Sequence, residues 1–443
     1  MKETISVIDL GTTKVVCLTG VKTVEGYKVI ASCQAPSQGI MRGEVVNNQN
    51  VLETLIPLLE ELQEKTGTPV EEVIVGIAGQ YVRCKAVSSN YNRSDSNRQI
   101  SKEEIHSMWL SMYNSRVNPG EEVLHVVPQS YHVDEYRGLP DPVGTFGSTI
   151  EANYKIFIGK SVSAEHTKRA IESAGLQLRK LVLEPLATAE AVLGDDEKEL
   201  GVAMVDIGGG TTDILVYHDN IVRHTAVIPF GGNIITEDIR QGCQVTIRQA
   251  EQMKHQYGSC YIDLAPENTA IILPGIGGRE PREISFKFLS HIIEARMDEI
   301  LEAVMYEIQQ SGYGDRLAAG IVLTGGGALL GNLIPFIKFK TGMEARIARP
   351  RGVISDDNGQ VNHVTYSCAV GLLIHGFEAV AHASANRQPN LDEIFAPVAA
   401  GKSKATGKPG RSLTKKKKQP EKEVVGNIFN SISKFFKESD NQA

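Results

Sequence analysis

The 443-residue chain is short of several things. It has no apolar run of about 18 residues, so no transmembrane helix is expected. Its start, MKETISVIDLGTTK, lacks the long apolar core of a signal peptide. The six cysteines, at 17, 33, 84, 243, 260 and 368, form no Cys-x-x-Cys pair. A chain of this size needs no disulfide staples, and a reduced, cytosolic compartment is the plain reading. The eleven histidines give no metal-ligand constellation, and ordinary surface or core roles are expected for them. There is one tryptophan, Trp109, in a helical stretch with Ile105 and Met112, where core packing is its expected role. Lys and Arg are outnumbered by acids, for a net charge of −7. A uniformly acidic surface binds duplex nucleic acid poorly, so no nucleic-acid partner is expected.

Two nucleotide-binding motifs are absent as well. A Walker A loop needs a glycine five positions before the glycine of Gly159-Lys160-Ser161, where Tyr154 stands. Gly401-Lys402-Ser403 fails in the same way, with Ala396. A dinucleotide fingerprint needs its glycines between a strand and a helix, whereas the glycine turns here lead into strands at Val15 and Ile214.

What is present is an ordinary globular composition, long enough for roughly two to four domains. The charge is unevenly spread. Residues 399–423 carry +7 and residues 424–443 are neutral, so the first 398 residues carry −14. Such asymmetry marks a tail with a job separate from the body.

Along the body the pattern alternates strand and helix. Strands are expected at 5–10, 15–21, 27–33, 73–78, 123–127, 130–134, 154–158, 181–183, 201–207, 214–217, 221–229 and 321–323. Helical periodicity runs over 50–65, 102–114, 164–174, 186–193, 246–257, 286–310 and 365–381. Residues 88–98 read as a polar stretch and 195–199 as a charged linker. One pattern recurs: strand, Asp9, Leu10, Gly11-Thr12-Thr13-Lys14, strand; then strand, Asp206, Ile207, Gly208-Gly209-Gly210-Thr211, Thr212, Asp213, strand. Two such hairpins about 200 residues apart suggest two related domains facing one another.

A glycine-rich turn between strands exposes successive backbone N–H groups and so forms an anion-binding concavity. Threonine hydroxyls add donors and Lys14 adds a positive charge. Two such turns from opposite sides suit a polyphosphate. Asp9 and Asp206, just before the turns, offer hard oxygen ligands for Mg²⁺, held through water. A third loop, Thr324-Gly325-Gly326-Gly327, permits the close backbone approach a flat nucleoside needs.

The ordered set of three loops resembles the actin-like ATPase superfamily. The two hairpins match its phosphate motifs and 322–327 its adenosine motif. Residues 184–189 and 367–371 resemble its connecting motifs. Within it, nearly the whole chain is similar to the FtsA family of bacterial cell-division proteins, on Val126-Val127-Pro128-Gln129-Ser130-Tyr131, Asp141-Pro142-Val143-Gly144, the 231–239 segment and the basic tail.

That resemblance implies an α/β, actin-like (ribonuclease H-like) two-domain fold with a nucleotide cleft. Its parts would be subdomain 1A (1–83 and 161–198), the FtsA-type subdomain 1C (84–160), 2A (199–230 and 316–364), 2B (231–315) and a return helix (365–384). It implies ATP with Mg²⁺: Asp9 and Asp206 on the metal, Gly11, Thr12, Thr13, Lys14, Gly208, Gly209, Gly210 and Thr211 on phosphates, and Gly325, Gly326 and Gly327 on the nucleoside. Glu251 and Lys254 would contact ribose and adenine; from spacing alone they read as an exposed ion pair. Glu184, with Asp213 as a second possibility, would orient or deprotonate the attacking water; Glu184 could equally cap the helix it begins. A slow ATPase, with ATP mainly a conformational ligand, is the implied activity. The implied partners are the FtsZ C-terminal tail at subdomain 2B, further copies in a filament, other division proteins through 1C, and the membrane. A PilM-like pilus-assembly protein and a small-molecule kinase are the alternatives.

Residues 385–423, with four lysines at 415–418, read as a flexible basic linker. In 424–438, Val424, Val425, Ile428, Phe429, Ile432, Phe435 and Phe436 fall within an arc of about 140° on a helical wheel. Lys434 and Lys437 flank them. Fifteen residues are too few to span a bilayer, so this reads as an interfacial anchor for anionic phospholipid, the alternative being a helix docked on its own body or a partner. The resemblance implies that the membrane face is the cytoplasmic one and the place the division septum.

Overall fold

The computed structural model describes residues 4–24, 26–79, 81–274, 280–355 and 359–384. The segments expected to form the linker and the amphipathic anchor, including Ile428, Phe429, Ile432, Lys434, Phe435, Phe436 and Lys437, lie outside the described residues.

The chain opens as an antiparallel meander, β1 (Thr4–Leu10), β2 (Lys14–Thr23) and β3 (Gly26–Pro36). A short hairpin, β4 (Ile40–Met41) and β5 (Glu44–Val45), leads to α1 (Asn48–Thr66). Asn47 caps α1, its side chain accepting from the Asn50 N–H, and Gly67 ends it at φ 66°. Leu55, Leu58, Leu59 and Leu62 turn one face inward. Then β6 (Glu72–Ile77) pairs parallel with β1.

The inserted unit comprises β7 (Arg83–Asn92), α2 (Lys102–Tyr113), β8 (Glu121–Val133), β9 (Tyr136–Leu139) and β10 (Thr149–Lys160), in sheet order β7-β10-β8-β9. Its core includes Trp109, whose indole N–H donates to the Val126 carbonyl at 3.1 Å. The polar stretch begun at Ser88 is, up to Asn92, part of β7. It pairs residue for residue with β10, and as an edge strand it shows its polar side chains to water, which hid the strand pattern. The strands expected at 123–127 and 130–134 are one strand with a bulge near Gln129.

The chain returns through α3 (Ser161–Ser173), β11 (Gln177–Leu183) and α4 (Glu184–Val192). The expected charged linker is a short helix, α5 (Asp195–Leu200). Three acids in its first turn complement the helix dipole, and Glu197 Oε2 accepts from the Gly194 N–H at 2.8 Å.

The second meander is β12 (Val202–Ile207), β13 (Thr212–His218) and β14 (Ile221–Ile228). It is followed by α6 (Gly232–Cys243), α7 (Ile247–Tyr257), the hairpin β15 (Ala270–Leu273) and β16 (Arg282–Ser285), α8 (Phe286–Gln310), β17 (Ile321–Thr324), α9 (Leu333–Thr341), β18 (Ala345–Ile347), β19 (Val353–Ser355) and α10 (Ser367–Ser384).

The two main sheets repeat one topology. Five strands of the first run β3-β2-β1-β6-β11, and the second runs β14-β13-β12-β17-β18. In each, a three-stranded antiparallel meander is extended by two parallel strands. The first sheet gains β19 at its edge, pairing parallel with β3. Residues 353–355, grouped by the sequence reading with the second sheet, therefore belong to the first: the chain is already back there before α10.

Helices α4 and α10 pack against each other between the sheets, Gly371 of α10 lying on the Ala187 carbonyl of α4. One hydrophobic core runs through this crossing, joining Val7, Leu18 and Ile74 of the first sheet to Met204, Leu215 and Val322 of the second. A separate core packs α6 and α8 on the other face of the second sheet.

Candidate functional site

The meanders bring their turns together. Gly11 begins the first turn, where an added Cβ would lie 2.7 Å from the Lys14 carbonyl oxygen. The second turn is closed by the Gly208 N–H donating to the Thr211 carbonyl at 2.9 Å. The tips face one another across the gap between sheets. A Cβ on Gly210 would sit 2.6 Å from both Cγ2 and Oγ1 of Thr12, and one on Gly209 would run into Thr13. Glycine is required here by close approach, not by backbone conformation.

Behind the tips lies a cluster of carboxylates. Asp9 is on β1, and Asp206 and Asp213 stand directly opposite each other on β12 and β13. Glu184 is the first residue of α4. Gly76 of β6 makes room for it, since a Cβ there would come within 2.8 Å of Glu184 Cγ. The cation among them is Lys14, whose Nζ is buried without a hydrogen-bond partner and lies 4.3 Å from the centre of the Tyr366 ring.

This crowding shows in the acidities. Burial pushes Asp9 up to about 6, opposed by Lys14 and by a hydrogen bond from Cys368. Burial and the nearby Asp9 push Asp206 up to about 7, opposed by Thr188, whose hydroxyl donates to Oδ2 at 3.3 Å, and by Lys14. Glu184 and Asp213 are raised well above the carboxylate range by burial and then by their acidic neighbours. Burial holds Lys14 below the usual lysine value, against the pull of Asp9 and Asp206. Asp213 Oδ1 is buried with no hydrogen-bond partner. Four carboxyls with one ammonium form an electrostatically unfinished site that a divalent cation would complete. Their oxygens are the hard donors Mg²⁺ takes, so these residues fit that ion.

Two further elements close in from the second half. The Gly232 and Asn233 N–H groups at the start of α6 donate to the carbonyls of Gly208 and Gly209 at 2.9 and 2.8 Å. Lys254 Nζ bonds Glu251 at 2.8 Å, the Gly232 carbonyl at 2.9 Å and the Thr236 hydroxyl at 2.7 Å. Thr236 also donates to Glu251. The pair that spacing alone would leave on the surface thus ties α7 to α6 beside the second turn; the Lys254 side chain is only 11% exposed. Burial alone would raise Glu251, but Lys254 and Thr236 hold it below the usual range.

Gly325, at φ 80°, passes so close to Asp206 and to the Ile207 carbonyl that a side chain would collide with both. Gly327 packs on Ile207 and Gly326 lies between. The third loop thus sits against the strand that carries Asp206. It is tied to the end of α7, where the Gly331 N–H donates to Gly258 O and the Cys260 N–H to Gly331 O, each at 3.0 Å.

The structure therefore gathers Asp9, Lys14, Glu184, Asp206 and Asp213 behind facing glycine turns, and brings Glu251, Lys254 and 325–327 alongside. Sequence reasoning missed Gly76, Thr188, Tyr366 and the thiol of Cys368 as neighbours of the cluster. The register that opposes Asp206 to Asp213 was latent in the length of the 208–211 turn.

Among proteins of known family, residues 203–371 match the model described as cell division protein FtsA, and residues 79–158 match the SHS2 domain inserted in FtsA. The second match coincides with the inserted β7-β10-β8-β9 sheet. The chain is 33% identical to cell division protein FtsA of Pseudomonas aeruginosa over 88% of this chain and 94% of that one. It is 34% identical to the Neisseria meningitidis serogroup B protein over 88% and 92%, and 30% identical to that of Bacillus subtilis over 83% and 82%. Among solved structures, the fold matches a PilM–PilN type IV pilus biogenesis complex with a TM-score of 0.59, at 15% identity over 85% of this chain and 98% of that one. It matches MreB5 of Spiroplasma citri bound to ADP with a TM-score of 0.52, at 14% identity over 87% and 99%. The fold is that of the actin-like ATPases, and the chain belongs to the family of cell division protein FtsA.

Proposed function

We propose that this division protein binds ATP with Mg²⁺ between its two halves, polymerises at the inner face of the cytoplasmic membrane, and tethers FtsZ filaments there. The observation that carries the nucleotide reading is the meeting of the two glycine turns in front of Asp9, Lys14 and Asp206. Backbone N–H groups and the hydroxyls of Thr12, Thr13 and Thr211 cradle the phosphates, with Lys14 as counter-charge. Asp9 and Asp206 would hold the Mg²⁺, which when bound would supply positive charge to carboxylates and phosphates alike. Gly325, Gly326 and Gly327 let the nucleoside approach the backbone, and Glu251 and Lys254 border the ribose and adenine. Glu184, with Asp213 as the second candidate for the role, accepts a proton from or orients a water. ATP acts mainly as a conformational ligand, and hydrolysis is slow.

The subdomain division is 1A (1–83 and 161–198), 1C inserted at 84–160 and meeting other division proteins, and 2A (199–230 and 316–364), less the β19 strand that pairs with the first sheet. Residues 231–315 form 2B, which takes the FtsZ tail. The membrane reading rests on the tail sequence. Residues 424–438 lay an apolar face into the interface, and the lysine run adds roughly 1 kcal/mol per charge near anionic lipid. One such helix binds weakly; copies side by side on a filament share the surface and gain avidity.

Sedimentation with anionic vesicles in the presence of ATP tests the tether. The full chain should pellet with vesicles, and a chain ending at Val398 should remain in the supernatant. Pelleting of both or of neither contradicts it. Phe435→Asp with Phe436→Asp should abolish pelleting and leave ATP affinity unchanged; loss of both together would mark the tail as a docked part of the body.

A further inference from the structure

One group at the site is foreign to a purely hard-ion centre. Cys368, the second residue of α10, carries a free thiol and is only 8% exposed. Its sulfur, a carboxylate oxygen of Asp9 and one of Glu184 all lie within 4.8 Å of one another. The three come from separate elements: Asp9 from β1, Glu184 from the first turn of α4, and Cys368 from the start of α10. Asp213, 6% exposed and with an unpartnered Oδ1, borders the same cluster and interacts electrostatically with Glu184.

We propose that Asp9, Glu184 and Cys368 form a mixed oxygen–sulfur site for a thiophilic divalent cation of the Zn²⁺ class. Zn²⁺ binds carboxylate oxygen at about 2.0–2.2 Å and thiolate sulfur at about 2.3 Å, so tetrahedral donors lie about 3.5 Å apart. The present spacing needs only small side-chain adjustments to close. Mg²⁺ has no preference for sulfur, whereas thiolate selects Zn²⁺ and its neighbours. Three protein donors leave one coordination position open, for water or an anionic oxygen. The ion displaces the thiol proton, which passes to solvent, and the sulfur binds as thiolate. Occupation fastens β1, α4 and α10 to one point at the crossing that joins the two halves. The site shares Asp9 and Glu184 with the proposed nucleotide centre, so the two ions compete for these residues; the binding itself needs the metal alone, and its test without nucleotide fails or succeeds apart from that reading.

The test is titration of the full-length chain, without nucleotide, by Co²⁺ as a coloured stand-in for Zn²⁺. A thiolate-to-cobalt charge-transfer band should grow to saturation and be erased by Zn²⁺, and Zn²⁺ should raise the thermal midpoint in a concentration-dependent way. Cys368→Ser should lose the band and bind Zn²⁺ at least about tenfold more weakly, though five other cysteines remain. Glu184→Gln, which keeps the thiol, should also weaken binding at least about tenfold, and it decides the matter if Cys368→Ser does not fold. No band in the wild type, a band that survives Cys368→Ser, or unchanged affinity in Glu184→Gln overturns the proposal.

Discussion

Thr12 at the tip of the first hairpin and Gly210 at the tip of the second are so close that a Cβ on residue 210 would lie 2.6 Å from two Thr12 side-chain atoms. Neither turn can widen without moving a sheet, so the gap between tips is set by the packing of both halves.

Gly210→Ala should therefore push the tips apart. The backbone at 210 is not in the left-handed region, so the cost is steric, about 1–3 kcal/mol of stability. ATP affinity should fall at least about tenfold, the equivalent of 1.4 kcal/mol. Thr12→Ser, which removes Cγ2, should restore part of both in the double variant. A double-mutant cycle in denaturant and by calorimetry reads the coupling, and strict additivity would show that the tips do not meet.

Asp213→Asn should stabilise the nucleotide-free protein while impairing hydrolysis. Asp213 is buried opposite Asp206 with one oxygen unpartnered, and burial raises it well above the carboxylate range, so at neutral pH folding must protonate it, a cost that a neutral amide removes. A gain of at least about 1 kcal/mol is expected, near the worth of one pKa unit. Urea unfolding in the presence of a chelator measures it; a loss of stability would mean that the carboxyl is better satisfied than its surroundings indicate.

Two glycines of α10 should respond differently to alanine. At Gly371 the new Cβ meets the Ala187 carbonyl, which is backbone in a packed helix and cannot yield. The cost should reach the upper end of the overpacking range, about 3 kcal/mol or more. At Gly376 the nearest atoms are side-chain methyls, the Ile74 Cδ1 at 2.7 Å, a chain end that can turn aside, and the Ile5 Cγ2 at 3.0 Å. There the helix-propensity gain of about 1 kcal/mol offsets much of the strain. Comparable losses at both would contradict the assignment of the crossing point.

In the inserted unit, Glu104 completes a capping box with Ser101 and bonds the buried Arg93 guanidinium at 2.8 Å. Arg93, then the Ser101 N–H, hold the Glu104 carboxyl below its usual 4.5. A carboxyl depressed in the folded state contributes its full stability above the unfolded value and loses it as pH falls through the folded one. Glu104→Gln should cost about 1.5–3 kcal/mol at pH 7, the worth of a hydrogen bond to a charged group. The gap to wild type should narrow as pH falls below about 4.5. A gap independent of pH would remove the ion pair from the account.

Much of this architecture was legible because glycine and threonine punctuate it. The 11–14 and 208–211 turns and Gly67 or Gly175 after helices mark boundaries that burial then enforces. The helix expected at 286–310 is α8, Phe286–Gln310, since Leu289, Ile293, Met297, Ile300 and Val304 keep a helical period throughout. What stayed hidden depends on neighbours distant in sequence. β19 has three residues and is held by β3, more than 300 positions earlier. Cys368 reaches Asp9 only because α10 folds back across the first sheet. The E-x-x-K pair gave no sign that Lys254 would be buried, because its partners, Gly232 and Thr236, belong to another helix.

The central claim is that one ATP is held between the two turns with a divalent ion. Isothermal titration of the purified chain with ATP, with and without Mg²⁺, tests it most directly. One site per chain is expected, with affinity falling at least about tenfold when Mg²⁺ is withheld and again in Lys14→Ala. No binding, or equal affinity in wild type and Lys14→Ala, would contradict the account.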